Sequence, residues 1–338
     1  LYGCQVLTPH IPLLPKIIDH EVEPSIEDLD KYFSSIARDP HELLALKYLK
    51  WSLSVHKKAS NIGVYGDTGR LPLIFDSIKL SCDYFLRCSE LADNSLTKRA
   101  FLEQKHLNLD WYKSLKLCLT KYGSGSSKIS SVNVYSNIRS AFVMNWKRKK
   151  ELSTKLEFYN SLKINFSRED YLSNPAIKLR SALTRLRISA HDLEIERGRY
   201  AAKTTGPNDC TDQNRKKTAP PPKSREERMC RYCMELLNIK VTECEKHALD
   251  DCLLYIKHRH DFLGTLNPTK MNSYIDFTNV KPPISITDIM KKVFLQPSNP
   301  DNETDQHRQY LTHKLAKLCS KIFEHRKAFI DYLDDYKD

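Results

Sequence analysis

Four residues in the second half of the chain have the types and spacing of a metal site. They are Cys230, Cys233, His247 and Cys252, in the pattern C-x2-C-x13-H-x4-C. Two thiolates two residues apart can bind one face of a tetrahedral ion, and a His and a Cys about one helical turn apart can complete the other face. Four protein ligands leave no position for a reactive water, so the pattern predicts one structural zinc ion. Free buried thiols near an unrelated histidine are the alternative.

Spacing alone leaves the ligand set open at three further residues. Cys244 lies one helical turn before His247 and could replace either of the last two ligands. His258 and His260 are further potential ligands. We expect the C-x2-C pair to form a knuckle at the head of the module, and His247 and Cys252 to lie at the start of a helix.

Composition favours a folded, mainly α-helical protein with a phosphate-bearing partner. Hydrophobic residues make up 40% of the 338 residues, and only 9 Gly argue against a β-sandwich or barrel. The net charge is +12, and residues 178–231 hold 14 Lys and Arg against 7 Asp and Glu. Such an excess favours RNA or DNA as the partner, because it releases counterions condensed on phosphates. A flexible, solvated basic linker is the alternative interpretation of this stretch.

The ten cysteines and the apolar pattern indicate an intracellular protein. Clustered, metal-type cysteine spacing suits a reducing compartment, so we expect nuclear and/or cytoplasmic localisation. The sequence has no run of 18 apolar residues, so neither a membrane span nor a membrane partner is predicted. Residues 1–4 lack an initiator Met and a signal-peptide pattern, and we expect a fragment of a longer protein.

Helical periodicity predicts multi-helix bundle-like segments around the small zinc-knuckle module. Gly63, Gly66 and Gly69 should interrupt the helical pattern. Residues 66–70 are expected to form a structural turn, with a phosphate-binding loop as the alternative. Beyond His191 the apolar period shifts to two, which predicts extended backbone. Helices are predicted over residues 25–37, 41–56, 73–87, 96–105, 109–121, 132–163, 175–190, 287–294 and from 306 onward.

Composition shifts divide the chain into six segments. Gly and Ser enrichment marks one boundary, and a polar, proline-rich and basic stretch marks another. The predicted segments are 1–122, helical; 123–131, a flexible linker; 132–200, long basic helices; 201–227, a disordered basic and Pro-rich linker; 228–265, the zinc module; and 266–338, a C-terminal helical tail.

Several sequence blocks resemble the region that follows the reverse transcriptase core in invertebrate LINE-type (non-LTR) retrotransposons. The most specific block is LRISAHDLEIERGRY at 186–200. The segments at 54–61 and 66–73 and the opening LYG are also similar to the family. As in the family, they are followed in order by Arg228, Cys230, Cys233, an acidic segment with His247, and Cys252 with Tyr255 close behind.

The resemblance implies a helical segment that follows the polymerase and works with the upstream polymerase domain of the same polyprotein. It also implies a CCHC zinc-finger-like module that handles the element's RNA or its DNA target. By position the resemblance assigns the ligands to the C-x2-C-x13-H-x4-C quartet. Cys244 falls where the family usually has an acidic residue, which implies that it is not a ligand.

Basic residues near the module are the predicted nucleic-acid contacts. Trp146, Tyr200 and Tyr232 either stack on unpaired bases or belong to the core, and His191 is expected to be a core histidine that bonds the backbone, with base stacking as the alternative. Lys147, Arg148 and Lys149 form a solvated helix face or follow a nucleic-acid backbone. The other predicted phosphate contacts are Arg180, Arg185, Arg187, Arg197, Arg199, Arg228 and Arg231.

No catalytic centre is predicted. The paired aspartates of the family's polymerase palm have no counterpart, and the string YLDD at 332–335 lies at the end of a predicted helical tail. Without a third carboxylate around it, two-metal chemistry is not supported. We therefore expect a non-catalytic nucleic-acid-binding fragment with no small-molecule substrate. A helical protein-interaction module, left from a retrotransposon, is the alternative.

Overall fold

A computed structural model describes most of the chain. The described residues are 36, 39–107, 109, 112, 115, 116, 119, 122, 131–173, 176–200, 221–266, 285–295 and 302–335. Several predicted segments lie mostly outside these residues: the helix at 25–37, the linker at 123–131 except Ser131, and most of the linker at 201–227. Only scattered positions of the helix predicted at 109–121 are described. Within the described part the protein is mainly helical, as predicted, and extended pairing is limited to two isolated antiparallel bridges.

The helices follow the predicted periodicity closely in most places. In chain order they are α1 (Pro40–Ser52), α2 (Asn61–Thr68), α3 (Leu73–Glu90), α4 (Leu96–His106), α5 (Ser131–Leu152), α6 (Glu157–Asn160), α7 (Ile177–Arg187), α8 (Glu194–Arg197), α9 (Arg231–Leu237), α10 (Ile256–Gly264), α11 (Ile286–Leu295) and α12 (Asn302–Asp335). No helix among the described residues is both long enough and apolar enough to cross a membrane.

The chain divides into two compact units. The first consists of Leu1–Leu49 and Gly69–Leu152, and the second of Lys50–Thr68 and Ser153–Asp338. In the second unit α12 is the longest helix, and α7, α10 and α11 pack against it. The metal-ligand pattern lies entirely within this second unit.

The first unit is built around the contact between α3 and α5. Phe75 and Phe142 meet edge to face there, with ring centroids 5.4 Å apart. The Asp39 carboxylate accepts the backbone N–H of Glu42 at 3.1 Å and so caps α1, whose first residue is Pro40. The buried Glu42 carboxylate in turn accepts the N–H of Leu73 at 2.7 Å, which caps α3.

The prediction that three glycines interrupt the helical pattern is wrong for two of them. Gly63 and Gly66 lie within α2, and only Gly69, at φ 61°, lies beyond its end. A Cβ at Gly63 would lie 2.9 Å from Cβ of Ile188, so glycine here allows two backbones to approach closely. A glycine chosen for close packing gives the same sequence signal as one chosen for a turn.

Two other predicted boundaries are also corrected. The helix predicted to run to residue 163 ends at Leu152, where Ser153 is extended and the chain turns to bury Leu156 and Tyr159 in the second unit. The extended segment predicted after His191 instead contains the single helical turn α8. Four alternating residues are too few to distinguish a strand from one helical turn.

The centre of the second unit contains a buried cation, Arg187. Its guanidinium donates to Asp67 Oδ1 and lies near Glu169 Oε1, both at 3.1 Å. The Tyr171 hydroxyl donates to Asp67 Oδ2 at 2.5 Å, and the Phe294 ring lies 4.1 Å from the guanidinium. Burial opposes the charge, but the Asp67 and Glu169 carboxylates outweigh it and raise the pKa of Arg187 above its ordinary value. This network joins α2, α7 and α11 to the turn at Asp170–Ser173.

We predict that Arg187→Met lowers the free energy of unfolding of the second unit by about 3–5 kcal/mol, because it leaves the Asp67 carboxylate without its buried partner. Urea denaturation followed by circular dichroism measures the change. Arg197→Met is the control: its side chain is 50% exposed, so its pair with Glu194 should contribute no more than about 1 kcal/mol. Equal losses in the two variants would contradict a structural role for Arg187.

Candidate metal centre

The structure brings the four predicted ligands together in one buried group. The ligand atoms of Cys230, Cys233, His247 and Cys252 all lie within 4.8 Å of one another. The Cys252 sulfur is 3.9 Å from each of the other two sulfurs, and Cys233 Sγ is 3.5 Å from His247 Nε2. Tetrahedral zinc with ordinary bond lengths gives sulfur–sulfur distances of about 3.8 Å and sulfur–nitrogen distances of about 3.6 Å. The group could therefore hold one metal ion.

The first ligand pair, Cys230 and Cys233, lies on a knuckle that backbone hydrogen bonds stabilise. Cys230 is the residue before α9, and Cys233 lies in its first turn. The Cys230 N–H donates to the carbonyl of Val241 at 2.8 Å, and an isolated bridge joins Met229 to Thr242. Asn238 ends α9 in the left-handed conformation, at φ 56°, so the chain reverses there toward the second ligand pair.

A π-helical turn accommodates the spacing of the second ligand pair. The turn spans His247–Asp251, and the N–H of Cys252 donates to the His247 carbonyl at 2.8 Å. An ordinary α-helix places residues five apart on different faces, whereas the wider π turn returns the fifth residue toward the first. The x4 spacing between His247 and Cys252 is therefore matched by local backbone geometry. Nδ1 of His247 is buried and has no hydrogen-bond partner among the described residues.

The three thiols influence one another's ionisation. A hydrogen bond from Cys252 is the main cause that lowers the pKa of Cys230 to about 4. Burial and the negative charge on Cys230 raise the pKa of Cys233 to about 11. The hydrogen bond to Cys230 and burial raise the pKa of Cys252 well above its ordinary value. A bound divalent ion would favour the thiolate form of all three cysteines.

The three alternative ligands lie outside this group. Cys244 Sγ accepts the backbone N–H of His247 at 3.5 Å, so its contact is with the turn that carries the ligand. The cluster of four does not include His258 or His260, and His258 instead contacts His325 on α12. Among the described residues, the side chains that converge are therefore the four of the C-x2-C-x13-H-x4-C pattern.

Two buried glutamates anchor the segment before His247 to the rest of the second unit. The Arg326 guanidinium on α12 donates to both carboxylate oxygens of Glu243 at 2.7 Å, and Glu243 also accepts the N–H of Glu194 at 2.7 Å. Such two-pronged pairs are geometrically specific as well as strong. The metal module is consequently fixed to both α8 and α12.

The second anchor is Glu245. It accepts a hydrogen bond from the Ser189 hydroxyl at 2.7 Å and lies 3.0 Å from Nε2 of His191. Nδ1 of His191 accepts the N–H of Leu193 at 3.3 Å, so His191 is a core histidine that bonds the backbone, as expected. These contacts hold the turn at Ser189, whose φ is 49°, against the metal module.

A third anchor connects the module to α11. Asp250 Oδ1 accepts the N–H groups of Ile286 at 2.7 Å and Thr287 at 3.2 Å. Its other oxygen accepts the Ser285 hydroxyl at 3.0 Å. Asp250 therefore caps α11 from within the π-helical turn of the metal module. None of these anchors has a distinctive spacing, so sequence alone does not reveal them beyond the acidic character of the segment.

The predicted phosphate contacts lie in unlike environments, and Arg187 is removed from the set. It is fully buried in the network with Asp67, so no phosphate can reach it in this structure. Arg228 donates to the carbonyls of Ile195 and Lys223 and is half-buried. The other five arginines also have partners within the chain, which are Leu172 for Arg180, Asp192 for Arg185, Glu194 for Arg197, Glu196 for Arg199, and Glu235 and Asp334 for Arg231.

The predicted aromatic contacts divide between core and surface. Trp146 is buried in α5, and in the same helix Lys147 is exposed while Arg148 and Lys149 are half-buried. Tyr232 packs edge to face on Phe329 of α12, at 5.4 Å between ring centroids. Tyr200 is half-buried, with Lys58 Nζ 3.9 Å from its ring centroid. Of the three aromatics, Tyr200 therefore combines partial exposure with a basic neighbour.

A groove that sequence analysis did not identify lies beside α12. Its volume is about 1010 Å³, and Arg185, Arg197 and Tyr200 line it. The remaining charged residues that line it are Lys58, Lys178, Lys223, Arg326 and Lys327, with Asp192, Glu194, Glu324, Asp331 and Asp334. The groove joins side chains far apart in sequence, and the basic stretch at 178–231 gives only a partial signal for it.

Metal content measured on the purified chain tests the ligand set. We predict one ion per chain, lost in Cys233→Ser together with local unfolding of the module, because a ligand set short of one thiolate binds weakly. Cys244→Ser is the matched control, since it removes a nearby thiol outside the group and should retain the ion. Retention of the ion in Cys233→Ser, or its equal loss in both variants, would contradict this assignment.

The chain matches no protein-family model, no curated protein and no solved structure. The resemblance to retrotransposon proteins therefore rests on the sequence blocks quoted above. The evidence for a metal site is the convergence of four buried ligand side chains.

Proposed function

We propose that this chain is a non-catalytic nucleic-acid-binding fragment of a LINE-type retrotransposon protein, built around one structural zinc ion. The observation that carries the proposal is the basic groove beside α12, which lies next to the anchored metal module. The retrotransposon origin is supported by the sequence blocks at 54–73 and 186–200 and by the order of the ligands that follow them.

Zinc is the ion that best suits the donor set. Three thiolates and one imidazole are typical of closed structural zinc sites, and soft sulfur ligands disfavour magnesium and calcium. All four side chains are buried, so the ion has no open face toward solvent. The role we propose is structural: the ion fixes the knuckle and the π-helical turn, and thereby the anchors between the module and α12.

The groove has the features expected of a surface that follows a single strand. Seven cationic side chains line it against five carboxylates, and Tyr200 offers a ring for base stacking. Lys178 and Lys223 have side chains that are 74% and 56% exposed. Their pairs with carboxylates are weak at such exposure, so both lysines can turn toward a phosphate at little cost.

The metal module and the groove share structural elements. Arg231 of α9 donates to Asp334 at 3.0 Å, and Asp334 also lines the groove. Arg326 lines the groove with the guanidinium that binds Glu243. Loss of the ion should therefore disturb the groove wall as well as the module. In this proposal the upstream polymerase domain of the same polyprotein uses the fragment to hold its RNA or DNA.

Salt-dependent binding of single-stranded RNA and DNA tests the proposal. We predict binding at about 50 mM salt that weakens steeply toward about 200 mM, as release of counterions requires. The double variant Lys223→Ala/Lys327→Ala should weaken binding to all sequences and reduce the salt slope by about 2, because two phosphate contacts are lost. Fluorescence anisotropy with labelled oligonucleotides measures both quantities.

The control is Lys257→Ala/Lys317→Ala, which removes two exposed lysines of the same unit that do not line the groove. It should retain most of the affinity and the slope. If both double variants lose affinity equally, the groove is not the binding surface. No binding of RNA or DNA at low salt would reject the proposed function.

A protein-interaction role is the second candidate, and one observation favours it. The metal module exposes Met234 and Leu236 of α9 and Ile239 just beyond it, with Leu236 58% exposed. Neighbouring apolar side chains of this kind commonly mark a contact surface. Failure to bind nucleic acid, together with self-association that Leu236→Ser abolishes, would favour this role over the first.

A further inference from the structure

Two histidines outside the cysteine site converge on the surface of the second unit. His258 lies on α10 and His325 on α12. Nε2 of His258 is 3.1 Å from Nδ1 of His325, and the rings stand edge to face with centroids 5.1 Å apart. The contact is exposed, in contrast to the buried cysteine site. The two side chains come from separate helices that pack against each other.

The separation of the two nitrogens fits a chelate of one ion. With metal–nitrogen bonds of about 2.05 Å, two imidazoles at a tetrahedral ion are separated by about 3.3 Å. At the right angle of an octahedral or square-planar ion the separation is about 2.9 Å. The observed distance lies between these values.

Solvent access and the neighbouring charged groups both affect ion binding at this contact. Solvent can reach the contact, so water can complete the coordination shell. Burial, His325 and Lys321 lower the pKa of His258, and the Asp261 carboxylate one turn away on α10 opposes this shift. Lys257 and Lys321 oppose a cation, but the Lys321 amine lies 3.6 Å from the Asp261 carboxylate, which offsets part of its charge. Nδ1 of His258 is buried without a hydrogen-bond partner among the described residues.

The site is chemically distinct from the cysteine centre. It offers nitrogen ligands, which suit zinc, nickel and copper, and it has no thiolate to make binding close to irreversible. Arg259, adjacent to His258, connects the two regions by donating to the carbonyl of Cys252 at 2.6 Å. A metal ion on α10 would therefore be bound beside the end of the π-helical turn.

We propose that His258 and His325 form a second, exchangeable site for a divalent first-row transition ion, bound by the two imidazoles and by solvent. Copper(II) should bind most tightly, followed by nickel and zinc in the ordinary order for nitrogen ligands. The bound ion links α10 to α12. It should therefore raise the thermal stability of the second unit, by an amount that grows with the logarithm of the ion concentration above the dissociation constant.

Metal titration of the untagged chain tests the proposal. Protein that retains its tightly bound ion is freed of loosely bound metal on a chelating resin and titrated with nickel(II) by calorimetry. We expect one further equivalent in the unaltered chain and none in His258→Ala or His325→Ala. His260→Ala is the matched control, because it removes an exposed histidine of the same helix and should keep the further equivalent.

Two further measurements make the result decisive. The content of the tightly bound ion and the circular dichroism spectrum of each variant show that the fold is intact, since the cysteine site is built on the same unit. The electron paramagnetic resonance spectrum of one added equivalent of copper(II) should show coupling to two nitrogens. Absence of a further equivalent in the unaltered chain, or its retention in both His258→Ala and His325→Ala, would overturn the proposal.

Discussion

The bidentate bond between Arg326 and Glu243 is the constraint on which the arrangement of the second unit depends. Both groups are buried, and a buried carboxylate without a partner is far more costly than a buried neutral side chain. If the metal module separated from α12, the charges of Glu243 and Arg326 would either become exposed to solvent or stay buried without a partner. Glu245 imposes the same condition on the turn at Ser189. A short cysteine-rich motif of this kind often forms a small independent module, but here it packs as part of a helical core.

Two different kinds of interaction thus define the candidate site. The ligand group is local, and its geometry follows from a knuckle and a widened helical turn within 23 residues. The anchors are distant in sequence and involve carboxylates bonded to guanidinium, hydroxyl and imidazole groups. Because all three acidic anchors, Glu243, Glu245 and Asp250, flank His247, they also orient the second ligand pair. The converging ligand group and the network of buried charges therefore favour the same conformation.

The sequence was sufficient to predict what depends on periodicity or on local ligand spacing. Helix positions and the metal quartet belong to this group. Arg187 shows what it could not reveal, because a basic residue inside a basic stretch gives the same signal whether it faces solvent or fills the core. Gly63 makes a similar point about glycine, since close packing against Ile188 has no local signature. The groove and the His258–His325 contact require knowledge of which helices meet, and that information lies in tertiary packing.

The sequence separations within the metal module have a consequence for the order of folding. The cysteines at 230 and 252 are 22 residues apart, whereas Glu243 and Arg326 are 83 apart. Closing the longer loop costs about 1 kcal/mol more in chain entropy, and during synthesis Arg326 emerges after the whole metal-ligand segment. We therefore expect the metal-binding turn to form first and to present its buried acids as a template. Helix α12 would then dock onto a surface that is already in place.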